Sequence, residues 1–416
     1  MLPFQLLIYN LSLRLYYTGI ALAAFFNPKA KQWIDGRENL QNGADKLSTY
    51  KGKRIWFHCA SLGEFEQARP VLEAFGGSHR QDAIIVTFFS PSGYEVRKNY
   101  PSADFITYLP LDTKQNAKEF IDLVRPDVAL FVKYEFWYHY LNELKQRNIP
   151  TILFSSVFRK EQIFFQWHGE LFRKMLGMFS KIFVQNSESL ELLSSIGIAS
   201  EVAFDTRFDR VNQIAKEKNA FAAIELFKAG SKIFIAGSTW PADEELLLQC
   251  IADDLLKEYK YILAPHQVDK ERISELQKKI KVRTTLFSNL NEQNAAETDV
   301  VIVDTMGNLA SLYSYGEIAY IGGGFNAGVH NVLEAAVYGM PVIFGPRYQK
   351  SLEAVELTEQ EAAFSISSYQ HFIAFLSSFN EKKRSIASLK TKTYVSERLG
   401  GTDTVLVSLL QSIGEV

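Results

Sequence analysis

Four loop regions of this 416-residue chain gather residue types that could do chemistry. The first is His58-Cys59-Ala60-Ser61-Leu62-Gly63-Glu64. Glu64 offers a carboxylate able to take the proton of an attacking hydroxyl. The S-x-x-E spacing of Ser61 and Glu64 equally describes a capping box, in which serine caps a helix and glutamate bonds back. The second region is Lys133-Tyr134-Glu135-Phe136-Trp137. A carboxylate between aromatic rings can hold an acceptor or a nearby cation, or can simply favour the positive end of a helix. The third, Asp205-Thr206-Arg207-Phe208-Asp209-Arg210, presents Arg207, whose planar fork suits a leaving phosphate or a sugar carboxylate. A salt bridge between domains is the structural alternative.

The fourth region is a set of loops in the second half. It comprises Gly237-Ser238-Thr239-Trp240, Ala264-Pro265-His266, Asp304-Thr305-Met306-Gly307-Asn308, and Gly322-Gly323-Gly324 leading to His330-Asn331-Val332-Leu333-Glu334 at a helix start. Glycines admit a ligand close to the backbone, and unpaired N–H groups at a helix start attract an anion. Glu334 can accept from a ribose diol. Any one of these glycines is ordinarily explained by a close-packed turn; several such loops on one sheet edge are a stronger signal.

The segments between these loops alternate between short apolar runs and amphipathic stretches. Strands are expected at Arg54–Cys59, Ala83–Phe88, Asp104–Tyr108, Val128–Val132, Thr151–Phe154 and Lys181–Gln185, with helices at Phe65–Phe75, Lys114–Val124, Phe136–Arg147 and Ser187–Ile196. The pattern pauses over the polar stretch Thr206–Gly230 and restarts at Lys232–Ala236, Tyr261–Ala264, Val300–Val303, Ile318–Ile321 and Pro341–Phe344. Such alternation predicts an α/β chain of two doubly wound, Rossmann-like domains, with a linker near residues 210–230. Ligands of such sheets bind beyond the carboxyl ends of the strands, where all four loop regions fall.

Composition narrows the function classes. The formal charge of −2 gives no pull toward nucleic acid, and 47% hydrophobic residues allow two substantial cores. Two distant cysteines exclude a disulfide scaffold and fit a reducing compartment. The chain has neither G-x-x-x-x-G-K-[ST] nor H-E-x-x-H, and the nearest approach to G-x-G-x-x-G, Gly322 to Ala327, ends in alanine. Asp-x-Asp is absent and the histidines lack metal-ligand spacing, so no metal and no cofactor is expected.

Residues 1–34 contain no acidic side chain, and Leu2 to Phe26 is largely apolar around Arg14. Asn10, Arg14 and Thr18 recur every four residues along one side of a helix. A span would place Arg14 near mid-bilayer at a cost of about 2.5–3.5 kcal/mol. Met1 to Gln5 carries no basic start for a signal peptide. The segment reads as a helix attached to a membrane surface; a buried helix of the first domain is the alternative.

In this order and spacing the motifs resemble the 3-deoxy-D-manno-octulosonic acid (Kdo) transferase family of Gram-negative bacteria. The resemblance runs to about residue 400. It rests on Asn27–Arg37, Ala60–Glu64, Phe204–Val211, Gly237–Glu245, Ala264–His266 and Val303–Leu309, and above all on Tyr320–Pro346. It implies a GT-B fold facing a cleft. Residues 1–34 would form the membrane-associated helix, 35–212 an acceptor domain, and 213–416 a CMP-Kdo-binding domain whose last helix is able to pack back on the first.

The implied activity is inverting transfer of Kdo from CMP-Kdo to a lipid A precursor (lipid IVA) at the cytoplasmic face of the inner membrane, in lipopolysaccharide core biosynthesis. Glu64 would be the catalytic base, with Glu135 and Arg207 at positions assigned to transition-state stabilisation. CMP would meet Pro265, His266, Met306, Gly307, Asn308, Asn331, Val332, Leu333 and Glu334. Two positions depart from the family, which often has an acidic residue where this chain has Asn308 and Gln267; Asn308 still donates and accepts hydrogen bonds. A nucleotide-sugar epimerase and a non-catalytic two-domain binding protein are the alternatives, and neither has much use for the N-terminal helix.

Overall fold

The computed structural model describes residues 2–37, 44–79, 81–217 and 219–415. Seven parallel strands form the first sheet: β1 (Arg54–Cys59), β2 (Ala83–Phe88), β3 (Phe105–Tyr108), β4 (Val128–Val132), β5 (Thr151–Ser156), β6 (Lys181–Val184) and β7 (Glu201–Val202). Their order is β3-β2-β1-β4-β5-β6-β7. The order reverses between β1 and β4, which pair directly from Ile55 opposite Val128 to His58 opposite Phe131. Strands buried on both faces need continuous apolar sequence. In β1, Trp56 enters one core with Phe120 and Phe131, while Ile55, Phe57 and Cys59 enter the other with Val71, Leu72 and Leu130.

The second sheet comprises β8 (Lys232–Thr239), β9 (Tyr259–Pro265), β10 (Thr284–Leu286), β11 (Val300–Ile302), β12 (Ile318–Ile321), β13 (Val342–Phe344) and β14 (Ala363–Ser365). The order β10-β11-β9-β8-β12-β13-β14 reverses between β8 and β12. Two doubly wound parallel sheets are therefore present. The chain divides into one compact unit of Met1–Asp209 with Leu399–Val416 and a second of Arg210–Arg398. The stretch read as a linker carries two helices, Arg207–Lys216 and Ala222–Lys228; Lys218 lies outside the described residues. The last helix, Gly401–Ile413, belongs to the first unit. Val405, Leu409 and Ile413 enter its core, and Asp209 accepts from the N–H groups of Gly400 and Thr402, each at 2.7 Å.

Helix α1 (Leu2–Ala23) docks on the first unit through polar groups. Tyr9 donates to Asp112 at 2.5 Å, Asn10 bonds His139 at 2.7 Å, and Gln5 pairs with the backbone of His168 and Leu171. Its other face leaves Phe4, Leu7, Leu11, Leu15 and Leu22 exposed. Among the described residues it is the one helix long and apolar enough to cross a membrane, and none of that stretch is buried. The alternative of a buried helix is thus not what forms. A second helix, α2 (Pro28–Asp35), follows, capped by Asn27.

Candidate active site

The first unit assembles its charged side chains at the carboxyl edge, around the reversal between β1 and β4. Helix α3 (Leu62–Ser78) starts directly after β1, with Ser61 as its N-cap residue and Glu64 in its first turn. The capping box suggested by the spacing does not form. Ser61 makes no side-chain bond to the helix backbone, and its hydroxyl donates instead to the Glu64 carboxylate. Glu64 is half-buried, with an acceptor oriented by a neighbour rather than spent on a cap. Cys59, at the end of β1, lies within the fields of both Glu64 and Glu135; burial and those carboxylates push its thiol well above its ordinary range.

Glu135 follows β4 across a strained step, Lys133 at φ +67°. It is buried and faces β1 rather than the helix that begins at Tyr138, so the helix-dipole role is not the one its contacts describe. Its carboxylate accepts from the Trp137 indole at 2.7 Å and bonds His58 Nε2 at 2.9 Å. His58, fully buried, meets Thr87 Oγ1 through Nδ1 at 2.8 Å, and Trp56 donates to the same hydroxyl at 2.8 Å. This network fixes the carboxylate through its Oε2 atom. Trp137 also stacks on Phe89 at 4.8 Å, Phe89 stacks on Tyr16 of α1 at 6.1 Å, and Trp33 of α2 packs against both rings. A line of aromatic rings therefore runs from α1 to Glu135.

Arg207 opens the helix Arg207–Lys216 and is clasped by Asp205, two residues before it. Its Nε lies 3.1 Å and its Nη2 2.8 Å from the Asp205 carboxylate, which also accepts the Arg207 backbone N–H at 2.9 Å. This pairing with Asp205 is local to the first unit. Asp205 is buried and takes two further donors, Gln67 Nε2 at 2.5 Å and Gln185 Nε2 at 2.9 Å. Burial alone would raise its carboxyl; Arg207 and these donors outweigh burial and hold it below the ordinary range. Gln67 sits one helical turn beyond Glu64 on α3, and its backbone carbonyl accepts from Thr206. Glu64 and the Asp205–Arg207 pair are thus tied to one helix. Sequence alone does not single out Gln67 or Gln185 as site residues, and it places His58 in the first loop region without giving it a role. A polar side chain within an otherwise apolar strand was the one signal available, at His58.

The second unit builds its edge from glycine and aromatic rings. A Cβ on Gly322 would stand 2.2 Å from Ser238 O, and one on Gly324 2.6 Å from Gly345 N. These two glycines are required by packing of turn on turn. Asp243, fully buried, pins the turn by accepting from Gly323 N at 2.9 Å, Tyr320 Oη at 2.7 Å and Trp240 N at 2.9 Å. Pro265 ends β9 and is buried, His266 is exposed beside it, and Met306 projects into solvent before Gly307 at φ +85°. Asn308 donates to Thr305 at 2.9 Å.

The helix start expected at His330–Glu334 is a single turn, Leu333–Ala336. Its Leu333 N–H is already taken by Asn331 Oδ1 at 3.1 Å, and Asn331 Nδ2 donates to Glu334 at 3.1 Å. Anion capture by that helix end is correspondingly weak. Among the described residues, no group of three or more His, Cys, Asp or Glu could hold a metal ion.

Known proteins carry the same pattern. Residues 35–210 match the family model of 3-deoxy-D-manno-octulosonic-acid transferase (kdotransferase). A 3-deoxy-D-manno-octulosonic acid transferase of Aquifex aeolicus is 30% identical over 350 residues, covering 82% of this chain and 90% of that protein. The chain belongs to the Kdo transferase family. A bifunctional glycosyltransferase/methyltransferase of Fusobacterium nucleatum is 27% identical over 382 residues, 87% of this chain, and the chain spans 57% of that protein. Among solved structures, a UDP-GlcNAc 2-epimerase from Neisseria meningitidis superposes with a TM-score of 0.56 over 86% of this chain and 100% of that one, at 14% identity. That likeness concerns the fold alone, and the family gives the two sheets their GT-B architecture.

Proposed function

We propose that this member of the Kdo transferase family moves Kdo from CMP-Kdo onto a lipid A precursor, lipid IVA, with inversion at the anomeric carbon. The observation that carries the reading is Glu64, half-buried at the strand reversal of the first sheet and held by Ser61 instead of capping its helix. In this mechanism Glu64 removes the acceptor hydroxyl proton. The oxygen lone pair forms the new bond to the anomeric carbon as the bond to the CMP phosphate oxygen breaks, and CMP leaves with that electron pair. Glu135 and Arg207, each fixed by buried partners, stabilise the charge that separates. Pro265, His266, Met306–Asn308 and Asn331–Glu334 hold the nucleotide.

A lipid acceptor is supported by α1. Its exposed apolar face and Arg14, Lys29 and Lys31 suit a surface of anionic headgroups, at about 25 cal/mol per Å² of apolar area and about 1 kcal/mol per basic residue. The ring line from Tyr16 to Trp137 brings that helix close to Glu135. We therefore assign the protein to the cytoplasmic face of the inner membrane. The test is mass spectrometry of the product formed from CMP-Kdo and a lipid A precursor. The acceptor should gain one or more Kdo masses with matching CMP release. Conversion of a nucleotide sugar without any acceptor would contradict transfer and favour the epimerase alternative.

A further inference from the structure

Three rings at the carboxyl edge of the second sheet form a fixed platform. Trp240 follows β8, His266 follows β9, and His330 lies beyond the glycine turn after β12. Trp240 and His330 are nearly coplanar, 9° apart with centroids at 6.4 Å, and Trp240 Nε1–H donates to His330 Nε2 at 2.9 Å. His266 lies across both, 4.7 Å from Trp240 and 4.5 Å from His330.

This arrangement decides where the His330 proton sits. An indole N–H only donates, so Nε2 is the acceptor and the ring hydrogen is on Nδ1. Burial first, and then His266, hold the imidazolium of His330 below the ordinary histidine range, against the opposing pull of Asp243. The neutral ring is therefore the form present near neutral pH. Its direction is fixed as well. A Cβ on Gly323, at φ +92°, would stand 2.9 Å from His330 Cδ2 and 3.2 Å from Nε2. The turn thus backs the Cδ2–Nε2 edge, and Nδ1 is the ring atom opposite that edge. The bond from Trp240 is the one side-chain hydrogen bond of His330 among the described residues, and the ring is only half-buried. Its Nδ1–H is an oriented donor beside the strand reversal between β8 and β12, where doubly wound sheets receive their ligands.

We infer that His330 Nδ1–H donates a hydrogen bond to an anionic oxygen of the nucleotide sugar, on its phosphate or its sugar carboxylate, and that Trp240 is the positioning residue that keeps the proton on Nδ1. The inference rests on the CMP-Kdo reading above. A neutral N–H of this kind binds the oxyanion without taking up a proton and without a permanent charge to retain the product.

Two amides separate this role from packing. Asparagine places its amide nitrogen at the level of Nδ1, whereas glutamine reaches only the level of Nε2. CMP and cytidine would be titrated calorimetrically into the wild type, His330→Asn and His330→Gln, and the KM for CMP-Kdo measured, with thermal melts to establish that each variant folds. If the phosphate is the acceptor, His330→Gln weakens CMP about tenfold to a hundredfold and leaves cytidine unchanged, while His330→Asn keeps most of the affinity. If the carboxylate is the acceptor, CMP and cytidine are unchanged in His330→Gln, and the KM for CMP-Kdo rises by a similar factor, again spared in His330→Asn. Trp240→Phe shifts the same quantity in the same direction by less. The inference is overturned if His330→Gln matches the wild type in all three measurements, or if His330→Asn loses as much as His330→Gln. A wild type that binds neither CMP nor CMP-Kdo would sink the donor reading itself, and this inference with it.

Discussion

The two sheets share a strand reversal at their first strand, yet the loops there are built from opposite materials. At the first edge the materials are charged: Glu64 is held by Ser61, Glu135 by His58 and Trp137, and Asp205, paired with Arg207, by Gln67 and Gln185. At the second, the edge is glycine, indole and imidazole, and the buried carboxylate Asp243 is turned inward to hold a backbone turn. In the proposed function one topology serves two tasks. A carboxylate that must move a proton needs neighbours that fix it without neutralising it. A ligand that arrives already charged needs close approach and neutral donors. On this account, damage to the first edge removes turnover or stability, and damage to the second weakens donor binding.

The largest stability effect is expected at Asp205. Asp205→Ala strands Arg207, Gln67 and Gln185 without their shared acceptor and should cost roughly 3 kcal/mol in urea unfolding. The Asp205 carboxyl is held below its ordinary value in the folded chain, so the stability it contributes is fully present above about pH 4. The gap between wild type and variant should therefore shrink as pH falls through the folded value. A gap that widens on acidification would reverse the assignment.

Gly323→Ala tests the other edge. Its Cβ would meet Gly328 O at 2.4 Å and His330 Cδ2 at 2.9 Å, in a backbone region that L-residues rarely adopt. The KM for CMP-Kdo should rise about tenfold with a smaller change in kcat. A large fall in kcat at unchanged KM would place chemistry, not binding, at this turn.

A smaller effect on catalysis is expected at α1. Leu7, Leu11 and Leu15 are exposed on the face away from Gln5, Tyr9 and Asn10, so changing all three to serine leaves the docking contacts in place. Each leucine is worth about 1.5–3 kcal/mol when fully buried. Flotation with anionic liposomes should fall sharply while turnover on detergent-dispersed acceptor persists. Unchanged flotation would refute the membrane role of this face. Excess EDTA is expected to do nothing, and activity lost in chelator and restored by magnesium would replace the metal-free mechanism.

The central strands were legible because both of their faces are buried: Val128–Val132 and Ile318–Ile321 read as strands from their apolar runs and form there. The strands that sequence did not reveal are β7, β10 and β14, all at sheet edges. Glu201–Val202 is exposed and Thr284–Leu286 half-buried, so neither carries the apolar run that marks a strand. The same divide runs through the site. Glu64, Glu135 and Arg207 were visible as polar residues at strand ends, whereas their partners are set by tertiary packing. His58 meets Glu135 across 77 residues, Gln67 meets Asp205 across 138, and Asp243 reaches Gly323 across 80. No local spacing encodes such pairs. The S-x-x-E spacing at Ser61 was the reverse case, a local pattern whose usual structure does not form because the serine hydroxyl turns to the carboxylate.

The contrast between the two edges is tested most directly by Glu64→Gln, with turnover of CMP-Kdo and calorimetric binding of CMP measured on the same preparation. Turnover should fall by about a hundredfold or more, within the range of a lost general base, while CMP affinity stays at the wild-type value. Near-normal turnover together with a melting point several degrees lower would contradict the account, since Glu64 would then serve only the start of its helix.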